Sequence, residues 1–208
     1  LDNEVQNITP NYVSNSKLTY INNKALIFEG GNEYHNFDIS SVYAVGRGVD
    51  RIAFNGNYYE AFLFPDKIQR GNYLHDFDVN GRFIINNQNA FGDIHTESDY
   101  IQVHVTLPAQ RPFFDGQLYL GGEFNYNLTD QNSVMRYDNN LAAYTQTLLL
   151  KQGGYNYQYW FIPKGASKAT VQRVDGSYWQ TKNEYAIYVY HREWGARYDK
   201  LVGVSISE

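Results

Sequence analysis

Short apolar and aromatic runs separated by Asn, Gly and Asp set the rhythm of this chain. Tyr100 to Leu107 alternates strictly, with Ile101, Val103, Val105 and Leu107 on one side and Tyr100, Gln102, His104 and Thr106 on the other. A period of two is that of a strand with one buried face, and the segment is predicted to be one. The same period separates Tyr155, Tyr157 and Tyr159 from Asn156, Gln158 and Trp160 in "YDNNLAAYTQTLLLKQGGYNYQY", Tyr137 to Tyr159. Gly153-Gly154 lies between that arm and Leu148-Leu149-Leu150-Lys151, so the pattern predicts a β-hairpin closed by the glycine pair. Leu141 to Leu150 also carries a helical stripe through Leu141, Tyr144 and Leu148, but Thr145, Thr147 and the neighbouring turns favour a strand.

Asn and Gly tolerate the positive φ of tight turns. Asn22-Asn23 between "KLTYI" and "KALIF", Asn55-Gly56 between "RIAF" and "NYYEAFLF", and Asn80-Gly81 between "HDFDV" and "RFII" therefore predict three more hairpins. Pro108-Ala109-Gln110-Arg111-Pro112 removes two ladder donors and restricts the backbone, which marks it as a linker. The expected fold is all-β: two consecutive β-sandwich domains of immunoglobulin-like or early-set-like type, over 1–107 and 113–208, joined by 108–112.

Composition agrees, since 20 Tyr and 12 Phe in 208 residues suit pleated surfaces better than helices. A net charge of -5, with the basic residues scattered, argues against a nucleic-acid partner. The absence of Cys removes disulfides and thiolate chemistry and fits a cell-envelope protein. No run approaches the ~20 apolar residues of a membrane helix, so the protein is expected not to insert in a membrane. The chain starts abruptly at Leu1-Asp2-Asn3, and any export signal is expected upstream.

Candidate chemistry is sparse. Asp76-x-Asp78-x-Asn80-Gly81 copies the opening of a calcium loop, but its twelfth position is Asn87 instead of Glu, and a plain turn is the stronger reading. The histidines at 35, 75, 95, 104 and 191 lack the i, i+2 or i, i+4 spacing of ligands on one element, so no metal or cofactor is expected. Glu33, His35 and Asp38 form a polar cluster suited in type to acid and base work, although strand-edge pairing explains them as well. With no nucleophile elbow, phosphate loop or zinc-protease motif, the expectation is a non-enzymatic protein. Of the three tryptophans, Trp179 and Trp194 lie nearer loops than Trp160 and are the candidate partner- or ligand-binding residues.

Six blocks in order carry a family resemblance: "GGNEYHNFDIS" (Gly30 to Ser40), "DYIQVHVTL" (Asp99 to Leu107), "LYLGGEFN" (Leu118 to Asn125), "LLLKQGGYNYQY" (Leu148 to Tyr159), "GSYWQTKNEYAIYVYHR" (Gly176 to Arg192) and "GARYDKLVGV" (Gly195 to Val204). Together they resemble the plug protein of the Bacteroidetes type IX secretion system. The resemblance implies a periplasmic protein at the inner face of the outer membrane, closing the translocon barrel when no cargo moves. His35 stands where the family pattern has Arg, and Lys182 where it has an acid. The second half also resembles early-set sandwiches of glycogen-binding modules through Gly122-Glu123-Phe124-Asn125, Met135 and Gly154-Tyr155-Asn156-Tyr157, which implies a glycan partner as the alternative.

Overall fold

The computed structural model describes residues 4–69, 71–73, 75–125 and 130–207; the opening Leu1-Asp2-Asn3 lies outside them. β1 (Tyr12–Ser14) and β2 (Lys17–Thr19) form a small antiparallel ribbon. β3 (His35–Asp38), β4 (Val49–Phe54), β5 (Tyr59–Leu63) and β6 (Phe83–Ile85) follow. A single helical turn, Ile94–Glu97, is capped by Asp93, whose Oδ1 accepts the His95 N–H. β7 (Tyr100–Pro108), β8 (Gly116–Gly121), β9 (Arg136–Asp138), β10 (Ala143–Lys151) and β11 (Gly153–Pro163) come next. β12 (Tyr185–His191) and β13 (Lys200–Ser207) end the chain as a second ribbon.

One sheet has the order β4-β5-β7-β10-β9, and the other has β11 between β3 and β6, with β8 paired along the far half of β11. Ile101, Val103, Val105 and Leu107 are at most 1% exposed, as their alternation predicts, and they merge with Phe37, Leu120 and Tyr155 to Phe161 of the other sheet in one core. The all-β sandwich is therefore what the period-two pattern implies.

The expected division at 108–112 falls inside that sandwich. β7 pairs with β5 before it and β10 after it, and β11 pairs with β3 and β6. Pro108 is the last residue of β7, and buried Ala109 donates its N–H to Ala142 O at 2.9 Å. The prolines here end a strand at the turn into β8; they do not join two separately cored units.

The predicted hairpin at Gly153-Gly154 is also overturned. β10 pairs with β7 and β9, and β11 with β3, β6 and β8, so the chain crosses between sheets at Gln152. Both arms carry core side chains, and placing them in opposite sheets lets Leu148 and the tyrosines meet across the core instead of lying side by side. Buried Gln152 satisfies the crossing: its Oε1 accepts the Asp99 N–H at 3.0 Å, its Nε2 donates to Ser40 O at 3.3 Å, and its own N–H donates to Asp99 O at 2.9 Å.

The three other turns divide. Asn55-Gly56 does join antiparallel β4 and β5, with Gly56 at φ 97°. Asn80 and Gly81 both take positive φ, 54° and 80°, but only β6 follows as a strand, and it pairs with β11. At Asn22-Asn23 there is no hairpin, because Lys24-Ala25-Leu26 are good helix formers and Asn23 caps them as a 3₁₀ turn.

Candidate interaction surface and a buried charge cluster

The two predicted binding residues are both at the surface. Trp179 is 88% exposed in the turn that leaves the sandwich, and Trp194 is fully exposed at the tip of the β12–β13 ribbon. Trp160, on β11, is half-buried, and its buried indole N–H meets no acceptor among the described residues. Phe77, Phe91 and Phe114 are further exposed rings that the pattern reading missed. Phe77 belongs to the "HDFDV" run read as a hairpin arm but lies outside any strand, as Phe91 and Phe114 do.

Glu33, His35 and Asp38 do not converge. Glu33 accepts a hydrogen bond from the Tyr73 hydroxyl and lies 3.5 Å from His75 Nδ1, while Asp38 Oδ1 accepts the Ser40 N–H at 2.7 Å. His35 turns instead to two aspartates remote in sequence. Its Nε2–H donates to Asp175 Oδ1 at 2.9 Å, and its Nδ1–H points to Asp66 Oδ1 at 3.2 Å. Asp66 Oδ2 also accepts the hydroxyls of Tyr157 at 2.6 Å and Tyr159 at 2.5 Å. Asp175, with no exposed side-chain surface, accepts the Tyr159 N–H at 2.9 Å. The His35 ring stacks on Tyr157 with centroids 5.1 Å apart. No motif marks Asp66 or Asp175; the β3–β11 register sets His35 opposite Tyr157, and the bonds from Tyr157 and Tyr159 to Asp66 and from the Tyr159 N–H to Asp175 hold both carboxylates beside it.

Electrostatics follow from that geometry. Burial disfavours the His35 cation, but hydrogen bonds and charge from Asp175 and Asp66 outweigh it and raise the imidazole from 6.5 to about 10. Burial likewise opposes Asp66 ionisation, and the His35 and tyrosine hydrogen bonds overcome it to hold the carboxyl below its ordinary value. Burial, with the adjoining acid charge, pushes the Tyr157 and Tyr159 phenols far up, so both remain donors. The His35 cation between two carboxylates ties β3, β11 and the loops at 66 and 175 together.

Tyr159→Phe removes one donor from Asp66 without changing the packed ring. It is expected to lower unfolding stability by about 1.5–3 kcal/mol, the range for a hydrogen bond to a charged group, as read by urea denaturation.

The remaining candidates have structural partners. Asp76 forms an ion pair with Arg47, with oxygens at 2.6 and 2.9 Å from Nη2, and Asp78 accepts the Tyr34 and Asn80 N–H groups, which braces a turn. His104 lies between Glu60 at 3.3 Å and Thr147 at 3.0 Å, stacked on Phe62. Two shallow clefts, of about 510 and 480 Å³, share Phe113 and Pro163; their charged lining groups are Arg173 and Lys164.

The fold and the exposed rings thus define a β-sandwich with two projecting ribbons. No family model and no curated protein matches the chain. Among solved structures, a hypothetical protein from Parabacteroides merdae is 42% identical and superposes with a TM-score of 0.89 over 95% of this chain. The match covers 50% of that protein, so the chain spans about half the length of this relative.

Proposed function

We propose that the chain is a non-enzymatic binding module that seats against the outer-membrane translocon barrel of a type IX secretion system from the periplasmic side and occludes it. The observation that carries this reading is the display of large rings, foremost Trp179 in the turn that leaves the sandwich and Trp194 at the tip of the β12–β13 ribbon. An occluding part must be stiff and must present its contact residues preorganised, because ordering them on binding would weaken the seat. Supporting it are the six ordered sequence blocks and the similarity to a protein of a Bacteroidetes species. A seat that holds and releases calls for an interface above roughly 1,000 Å², with aromatic anchors inside a polar rim.

The test is co-purification of the barrel from native outer membranes on the full-length protein. The Trp179→Ala, Trp194→Ala double variant is expected to lower recovery at least about tenfold while unfolding stability stays within about 0.5 kcal/mol. Clean absence of the barrel overturns the reading. The same exposed rings favour glycan binding as a second reading, since bare indole faces stack on sugars. Retention on a polysaccharide column, lost in the double variant, is its signature.

A further inference from the structure

Among the described residues, every buried hydrophobic one lies between Phe37 and Val174, and none of 4–36 or 176–207 is buried. Yet the ends are not polar tails. In the β12–β13 register, Ala186 faces Ile206, Tyr188 faces Val204 and Tyr190 faces Leu201, so one side of the ribbon is made of aliphatic and aromatic side chains. The opposite side is mixed, with Tyr185, Ile187 and Val189 facing Ser207, Ser205 and Gly203. An apolar sheet face is ordinarily covered, and a two-stranded ribbon alone in water is marginal. Exposed apolar surface of this extent marks a contact.

The ribbon is built to hold its shape and direction. Arg192 grips Asp199 across its turn with two hydrogen bonds, 2.8 and 2.7 Å. At the root, Tyr178 N–H and the Thr181 hydroxyl both donate to Gly31 O, at 2.8 and 2.9 Å, and Asn183 Nδ2 donates to Gly30 O at 2.8 Å. Gly30 passes so close that a Cβ there would meet Tyr178 O at 2.2 Å. Phe28 meets Tyr185 with ring centroids 6.2 Å apart, so the amino-terminal arm, which exposes Tyr12, Val13 and Leu18, leaves the sandwich where the ribbon does.

We infer that the β12–β13 ribbon, with the amino-terminal arm beside it, docks a second folded unit of the same polypeptide, one corresponding to the half of the Parabacteroides merdae relative that this chain does not match. That relative supplies the occupant: it joins the same sandwich to about as much chain again. The inference does not depend on the plug reading, and Trp194 at the tip stays outside the contact.

Hydrogen exchange read by mass spectrometry tests it, comparing the polypeptide as its gene encodes it with the 208-residue chain. Amides of 185–207 and 12–19 are expected to exchange at least about tenfold more slowly in the gene-encoded polypeptide. Tyr188→Lys with Val204→Lys is expected to abolish that protection and leave β7 and β11 unchanged. Equal exchange in both forms, or a gene encoding no further folded unit, overturns the inference. Dimerisation of the 208-residue chain that protects the ribbon overturns it in favour of a second copy. Protection that arises only when the translocon barrel is added overturns it in favour of that partner, while leaving the proposed function standing.

Discussion

Replacing Asp175 with alanine is expected to lower the unfolding free energy by about 3–5 kcal/mol, the cost of stripping one partner from a buried ion pair. Its carboxylate is wholly enclosed and serves both His35 Nε2 and the Tyr159 N–H, so the substitution leaves that ring N–H and a backbone donor unpaired, with Asp66 as the remaining carboxylate beside His35. Against a total stability of about 5–15 kcal/mol this is a large fraction, visible as a lower urea midpoint at unchanged slope. The pH dependence separates this cause from a packing defect. Because His35 is raised from 6.5 to about 10, its contribution is whole below about pH 6.5 and disappears as pH rises through about 10. The native chain therefore loses stability across that window with a slope of up to about 1.4 kcal/mol per pH unit, and Asp175→Ala flattens the slope by removing the stronger of the two raising partners. An unchanged alkaline slope in the variant contradicts the assigned role.

Gly153→Ala is expected to cost about 3 kcal/mol, the upper end for forcing a methyl group into a packed interior. A Cβ there would stand 2.1 Å from Ile84 O and 3.1 Å from the Ile85 Cα, and neither backbone atom can yield without disturbing the β6–β11 pairing. Gly154 is the internal control, since its Cβ would meet only the Ile84 Cγ2, at 3.6 Å. Gly154→Ala is expected to change stability by less than about 1 kcal/mol. Matching urea midpoints for the two variants would show that the sheet crossing does not depend on the close passage at Gly153.

The outcome at this glycine pair shows how much was legible in advance. Alternation located β7 and β11 and assigned the side chains of β7 correctly, because the period of a strand is a local property of the chain. It could not say which strands pair. Leu148 to Tyr159 reads equally as a hairpin or a crossing, and the choice is made by Ser40, Asp99 and Ile84, which close around Gln152 and Gly153 from distant parts of the chain. The prolines at 108–112 likewise announced a stop, but a strand end and a domain linker require the same lost donors.

The candidate residues divide in the same way. Trp179 and Trp194 were found because turn-forming neighbours place a ring near the surface, a local cue that the structure bears out as exposure. The grouping of Glu33, His35 and Asp38 rested on nearness in sequence, whereas the partners of His35 are Asp66 and Asp175. By itself the amino-acid sequence determined the strand-rich class, the inward faces and the loop aromatics, all of which follow from side-chain period and backbone preference. Only the tertiary structure decided that one sandwich incorporates both halves, that the tyrosine arm crosses between sheets, and that His35 is held as a cation, because each depends on pairings between segments far apart in the chain.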